Sequence, residues 1–342
     1  MSIAVTILGV SLLIVLHELG HFFAARFFDM RVLRFSVGFG PPLIRWKKGE
    51  TTWQLAAVPL GGYVLIDGMG ADESHEQGIN DTRSFRNRPV WQRAVVLAAG
   101  PVMNWLLAAA FITSLAWTVG FARYDTTSAT LGEILDGGPA AQAGLTQGDR
   151  VQRVGDTAVE DWDHLVAAIR AHPQQPVLFE IQRRNETLSL SVVPRRADGG
   201  DFGVIDVMPP AHIERFGPIT GLRAGLVGAT SYTTQQVQML VGLVLGTEQG
   251  RLAGLPGIVK MVSEQAERGA RYLLQSLAWL SIGLFLLNLL PVPALDGSRL
   301  SFLAIEAVRR RPVDARIEGT IHGIGFVLLI GLMVWVSIRD LL

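Results

Sequence analysis

Residues 7–28 read ILGVSLLIVLHELGHFFAARFF. A helix that crosses a bilayer needs about 20 mostly apolar residues, and this run meets that length. Yet His17, Glu18 and His21 lie inside it. Ionisable side chains are costly at bilayer depth and mark a functional site by default. His17 and His21 are four residues apart, so on a helix they share one face, a turn apart. That spacing lets two imidazoles bind one zinc ion, with the glutamate between them as general base. Two packed histidines bonded to backbone carbonyls are the non-catalytic alternative. A signal peptide is the competing reading of the stretch, but a basic leader and a small-residue cleavage site are missing from it.

The composition fits a membrane protein. The chain has 342 residues, 49% of them hydrophobic and only 18% charged, enough for two or three structural units. Its 30 basic and 30 acidic residues balance, which argues against a nucleic-acid footprint. Without cysteine there is no disulfide framework and no thiolate metal site, so any zinc must be held by nitrogen and oxygen.

Four stretches approach spanning length, at about residues 3–28, 94–122, 273–295 and 319–338. The expected fold class is therefore an α-helical polytopic membrane protein with about four transmembrane helices. The third stretch ends on Pro291 and Pro293, which stop or bend a helix. Within residues 219–247 the run VQMLVGLVLG is apolar but too short to span, and it reads as an interfacial amphipathic helix. Basic residues favour the cytoplasmic side. Arg26, Arg31, Lys47, Lys48, Arg83 and Arg93 fall between the first two stretches, and Arg299, Arg309, Arg310, Arg311 and Arg316 between the last two. Both loops are thus expected in the cytoplasm of a multi-pass inner (plasma) membrane protein, with residues 121–272 outside. His17 lies some fifteen residues into a helix entering from outside. At about 1.5 Å per residue that is roughly 22 Å, past the middle of a core about 30 Å thick, so the site is expected toward the cytoplasmic side.

Residues 127–195 change character: short β-rich runs (TLGEIL, GDRVQRVGD, VLFEIQRR, TLSLSVVPR) alternate with turn signals and one helical run, WDHLVAAIRAH. The pattern resembles a PDZ domain of the bacterial protease type, most specifically in GPAAQAGLTQGDRV; a plain β-rich domain is the alternative. The chain then divides into a first membrane part (1–126), the PDZ-like domain (127–195), a linker with interfacial helices (196–270) and a second membrane part (271–342).

Two histidines leave a catalytic zinc one protein ligand short. Glu50, Glu73 and Glu76 sit in the basic loop. Asp296, in NLLPVPALDG at the end of the third apolar stretch, is the preferred third ligand: the prolines loosen the helix there, and Gly297 relieves the turn. His322, in the fourth stretch, is the rival.

HELGH in a first membrane helix, GPVMN in the second, a PDZ-like domain after it and NLLPVPALDG in the third together resemble the site-2 proteases, in particular the regulator of sigma-E protease type. The resemblance covers essentially the whole chain. Its most specific elements are His17, Glu18 and His21 with Asn288, Pro291, Pro293, Asp296 and Gly297. It implies a zinc enzyme that cuts membrane segments of single-pass proteins, anti-sigma factors for example, after a first protease has trimmed them. It further implies that residues 51–68, TTWQLAAVPLGGYVLIDG, form a membrane-re-entrant β-hairpin beside the site, with Gly61 and Gly62 among the substrate-binding residues. Asn288 and Asn104, together with Pro291 and Pro293, are expected to bind substrate; both asparagines have a second reading as hydrogen bonders in helix packing. Besides substrates, the expected partners are a peptide ligand of the PDZ-like domain and the lipid bilayer. The chain departs from many relatives in carrying Ser298 and Arg299 where they continue LDGGH, and from some in having room for one PDZ domain instead of two. The alternative function is a membrane-anchored PDZ adaptor with a structural or inactive metal site, which leaves Glu18 without a task.

Overall fold

The computed structural model describes residues 2–69, 81–197, 200–247 and 254–341; Glu73 and Glu76 lie outside them. The chain opens with helix α1 (Ser2–Phe27), two long strands β1 (Val32–Lys48) and β2 (Thr51–Ile66), and helix α2 (Val90–Thr118). Then come β3 (Phe121–Tyr124), a one-turn α3 (Pro139–Gln142), β4 (Arg150–Val154), β5 (Thr157–Ala158) and α4 (Trp162–Arg170). Strands β6 (Val177–Arg183), β7 (Glu186–Val192), β8 (Arg195–Arg196), β9 (Gly203–Val204) and β10 (Ala211–Glu214) follow. Five helices end the chain: α5 (Pro218–Leu245), α6 (Leu255–Arg268), α7 (Ala270–Leu289), α8 (Asp296–Arg309) and α9 (Ala315–Leu341). They form two compact units, Met1–Thr118 with Phe216–Leu342, and Val119–Arg215.

Among the described residues of the first unit, four helices are long and apolar enough to cross a membrane: Ala4–Phe27, Val90–Thr118, Ala270–Leu289 and Arg316–Asp340. Their ends differ from the expected bounds for local reasons. Helix α2 stops at Thr118, short of residue 122, because Gly120 takes φ +78° and Phe121 enters a strand. Helix α7 stops at Leu289, short of residue 295, because neither proline can continue the helical hydrogen bonding. Residues 290–295 are left as a non-helical loop, and Asp296 is the first residue of α8. Gly297 is required by close approach: a Cβ there would lie 2.2 Å from the Leu290 carbonyl oxygen. Helix α5 runs 28 residues, well beyond its short apolar core, and packs tightly on α2; at Gly225 a Cβ would come within 2.5 Å of the Ala109 carbonyl oxygen. Small residues at such crossings are how helices approach closely in membranes.

Strands β1 and β2 pair antiparallel from Lys48↔Thr51 to Val32↔Ile66. Residues 62–66 thus pair with 32–37 and residues 51–56 with 42–48, so 51–66 does not fold on itself as the hairpin expected over 51–68 but takes its partners from β1. Phe35 pairs with both Val64 and Trp53, and Ser36 with both Tyr63 and Gln54, so this part of β1 is flanked on both sides. The base of the hairpin is anchored by packing of Ala25, Val32, Ile66, Phe85, Leu97 and Leu303. The far half exposes Leu43, Ile44 and Trp46.

The second unit holds a four-stranded antiparallel sheet in the order β5-β4-β6-β7. Its core follows strand alternation, with Val177, Phe179 and Ile181 of β6 buried, and Leu131, Leu165 and Val192 packed among them. TLGEIL contributes isolated bridges at Thr130 and Ile134 in place of a full strand. Asp161 caps α4 by accepting from the His164 N–H. Asp149, buried, accepts from Arg183 at 2.8 Å through both oxygens and from the Thr146 N–H at 2.8 Å. Burial raises its pKa, but these bonds to the carboxylate prevail and hold it below the usual range. The pair β3–β10, from Phe121↔Glu214 to Tyr124↔Ala211, closes the unit, which extends well beyond residues 127–195 on both sides.

Candidate metal centre

Helix α1 places His17 and His21 on one face, as the i, i+4 spacing requires. Both are buried, and Asp296 at the start of α8 meets them. His17 Nε2 lies 3.1 Å from Asp296 Oδ2, His21 Nε2 lies 3.3 Å from the same oxygen, and the two Nε2 atoms are 3.2 Å apart. A tetrahedral ion with bonds of about 2.0–2.1 Å separates its ligand atoms by about 3.3 Å, so this triangle has the size that zinc requires. The donor set, two neutral imidazoles and a carboxylate, also suits zinc.

The far side of each imidazole is held. His21 Nδ1 is 2.8 Å from the Val96 carbonyl oxygen, which fixes the proton on Nδ1 and leaves Nε2 with its lone pair toward the triangle. His17 Nδ1 is 3.2 Å from the side-chain amide of Asn104. Asn104 Oδ1 is buried without a partner among the described residues. Turning the amide over, an assignment that hydrogen-bond logic decides, lets Oδ1 accept from His17 Nδ1–H and frees Nε2 in the same way. The Asn104 backbone carbonyl accepts from Ser281 Oγ of α7 at 2.8 Å. Asn104, expected from the sequence to bind substrate, is 1% exposed and its side-chain amide faces His17. Gly100 has no alternative residue: a Cβ would lie 2.2 Å from His21 Nε2 and 2.8 Å from His17 Cε1.

Glu18 stands outside the three-residue cluster. Its Oε2 accepts from the Val64 N–H of β2 at 3.1 Å, which sets that strand beside the site. Gly61 takes φ +105°, and Gly62 approaches the Ser36 carbonyl so closely that a Cβ would be 2.6 Å from its oxygen. Asn288 is half-buried on the last turn of α7, Pro291 is exposed and Pro293 is half-buried. His322, the rival ligand, is not in the cluster; its Nδ1 is 3.1 Å from the Ala294 N–H.

The model of peptidase family M50 matches residues 5–332 of this chain. The chain belongs to peptidase family M50, the site-2 proteases. It is 32% identical over 405 residues to the zinc metalloprotease RasP of Geobacillus kaustophilus, across 96% of this chain and 95% of that protein. It is 33% identical over 344 residues to a putative zinc metalloprotease of Clostridium perfringens, across 100% of this chain and 99% of that protein. Among solved structures, the PDZ domain of an SdrC-like protein from Listeria monocytogenes covers 25% of this chain and 90% of its own, with 14% identity and a TM-score of 0.22.

In this M50 peptidase the residues around the ligands were harder to read from sequence than the ligands themselves. Gly100 and the Val96 carbonyl carry no signal beyond a Gly-Pro step in an apolar helix, and Ser281 carries none. Their importance arises from the crossing of α1, α2 and α7, which residue spacing does not encode.

Proposed function

We propose that this M50 peptidase is a zinc-dependent intramembrane endopeptidase that cleaves transmembrane segments of single-pass membrane proteins. One observation carries the reading: a zinc-sized triangle of His17, His21 and Asp296 beside a glutamate that is not part of it, with both histidines and the glutamate on a helix of spanning length. Zinc held by these residues would supply Lewis-acid chemistry, polarising the scissile carbonyl and lowering the pKa of water far below its bulk value. Glu18 takes the proton of the attacking water as the C–O bond forms. It then delivers that proton to the amine nitrogen as the C–N bond breaks. The Val64 N–H steadies the Glu18 carboxylate in the orientation this exchange needs. A helical substrate must unwind to offer its carbonyl, and residues 61–66 of β2 offer an edge for the unwound strand. Asn288 and Pro291 flank the same loop as Asp296 and are assigned to substrate contact.

The hairpin is read as re-entrant in the membrane, in keeping with its exposed Leu43, Ile44 and Trp46. The second unit is read as an extracytoplasmic PDZ-like domain that binds peptide and filters substrates. The metal site is read as lying toward the cytoplasm, in keeping with the basic loops. Anti-sigma factors are one substrate class of this form. The adaptor alternative has no use for Glu18, since a structural zinc needs no base.

The test is cleavage of a model membrane segment by purified, reconstituted protein. Glu18→Gln is expected to keep zinc and lose cleavage by about 1000-fold, in the range for general acid–base catalysis; His17→Ala, His21→Ala and Asp296→Ala are expected to lose both. Substantial turnover by Glu18→Gln would refute the mechanism.

A further inference from the structure

The loop that delivers Asp296, residues 290–295, has few bonds of its own. Within it Val292 N–H donates to Leu290 at 2.7 Å and Leu295 N–H to Val292 at 3.1 Å. Ala294, between them, takes φ +74°, a left-handed conformation that residues with a Cβ rarely adopt. What holds it there comes from α9. Ala294 N–H donates to His322 Nδ1 at 3.1 Å. One turn further along α9, Gly325 lies so close to Pro293 that a Cβ would be 2.1 Å from the proline Cβ. Helix α9 thus grips two consecutive residues of the loop, just before the metal ligand. The His322 ring rests against Phe302 of α8 with centroids 5.8 Å apart, and its side chain is 15% exposed. To accept through Nδ1 the neutral ring carries its proton on Nε2, which makes no hydrogen bond among the described residues but faces Glu318 Oε1 at 3.8 Å.

We propose that His322 is a positioning residue for the metal centre: by accepting from Ala294 N–H it fixes the left-handed turn and sets where Asp296 meets His17 and His21. The proposal rests on the metal-centre reading above. It gives a task to the histidine that sequence reasoning set aside as a rival ligand, and it makes α9 part of the site without contributing a ligand.

The experiment uses full-length protein in detergent, as wild type, His322→Phe, His322→Asn and Asp296→Ala. Phenylalanine keeps the ring and removes the acceptor. Asparagine places Oδ1 where Nδ1 was. Two readouts are taken: hydrogen–deuterium exchange over residues 290–295 in metal-free protein, and Co2+ titration followed by its d–d absorption. His322→Phe is expected to exchange faster at Ala294 and to bind Co2+ about 10-fold more weakly, the lower range for loss of an outer-shell partner, with an altered band envelope. His322→Asn is expected to restore both. His322→Gln, polar but with its amide one methylene too far out, takes the place of the phenylalanine variant if that one does not fold. Unchanged exchange and affinity without the acceptor would overturn the proposal, as would an asparagine variant as impaired as the phenylalanine one. If Asp296→Ala binds Co2+ as well as wild type, the metal-centre reading itself fails and His322 falls with it. Loss of Co2+ in Asp296→Ala beside an unaffected His322→Phe defeats the His322 proposal alone.

Discussion

A histidine offers one ring nitrogen to a metal only when the proton on the other is accommodated, and this outer partner tunes the ligand. For His21 the partner is a backbone carbonyl, which side-chain substitution cannot remove. For His17 it is Asn104. Asn104→Leu is therefore expected to weaken zinc binding by about 10- to 100-fold while leaving the helices packed, because leucine keeps most of the volume. Competition with a chromophoric chelator measures this directly; affinity equal to wild type would return Asn104 to a packing role. The meeting of His17 and His21 was legible in the sequence because HELGH is local: its geometry follows from helix periodicity alone. Asp296 was legible from its proline-rich setting and the family pattern. The contact of Asn104 with His17 was not legible, because which atom an amide faces depends on how three helices cross.

At the scale of elements, the two segments of the first unit that flank the second in the chain meet each other. Phe216 N–H donates to the Ala116 carbonyl at 3.2 Å, and Trp117 Nε1 donates to the Pro218 carbonyl at 3.2 Å. Excising the whole compact unit, residues 119–215, and joining its neighbours by a short glycine linker should leave the first unit intact. Excising only residues 127–195 removes the four-stranded sheet and its core but leaves the β3–β10 pair and β9 behind, and is the poorer cut. With the larger excision, cleavage of a pre-trimmed substrate is expected to persist, and discrimination against an untrimmed one to fall. A stably inserted, zinc-loaded excision variant without any activity would show that the unit does more than filter. The four apolar helices and the β-rich unit could be read from composition and period. The hairpin could not: the partner of residues 51–66 is set by the pairing of β1, a run whose prolines and glycines mask its strand character.

Across the whole molecule, the distribution of Arg and Lys predicts which loops face the cytoplasm, and the absence of native cysteine makes the prediction easy to test. Thr82, Ser189 and Arg309 are exposed, so a single cysteine at each is open to an impermeant thiol reagent. Ser36, attractive by sequence, is fully buried and bonded to Gln54 and would report packing instead of sidedness. Labelling of intact cells is expected to mark only Ser189→Cys. Labelling of Thr82→Cys from outside would invert the assigned orientation and put the metal site on the opposite side.

By itself the sequence determined the residue types that the proposed chemistry uses: HELGH and the aspartate of NLLPVPALDG supply candidate donor atoms, and they lie in or beside apolar runs of spanning length. These are consequences of residue type and short-range periodicity, which the chain carries wherever it folds. Only the tertiary structure decided how the donors are held. It set Asn104 behind His17, cleared space at Gly100 for both imidazoles, laid β2 against Glu18 and tied the Asp296 loop to His322. Each of those contacts joins residues far apart in the chain, and distance along the sequence says nothing of distance in space until the helices have packed.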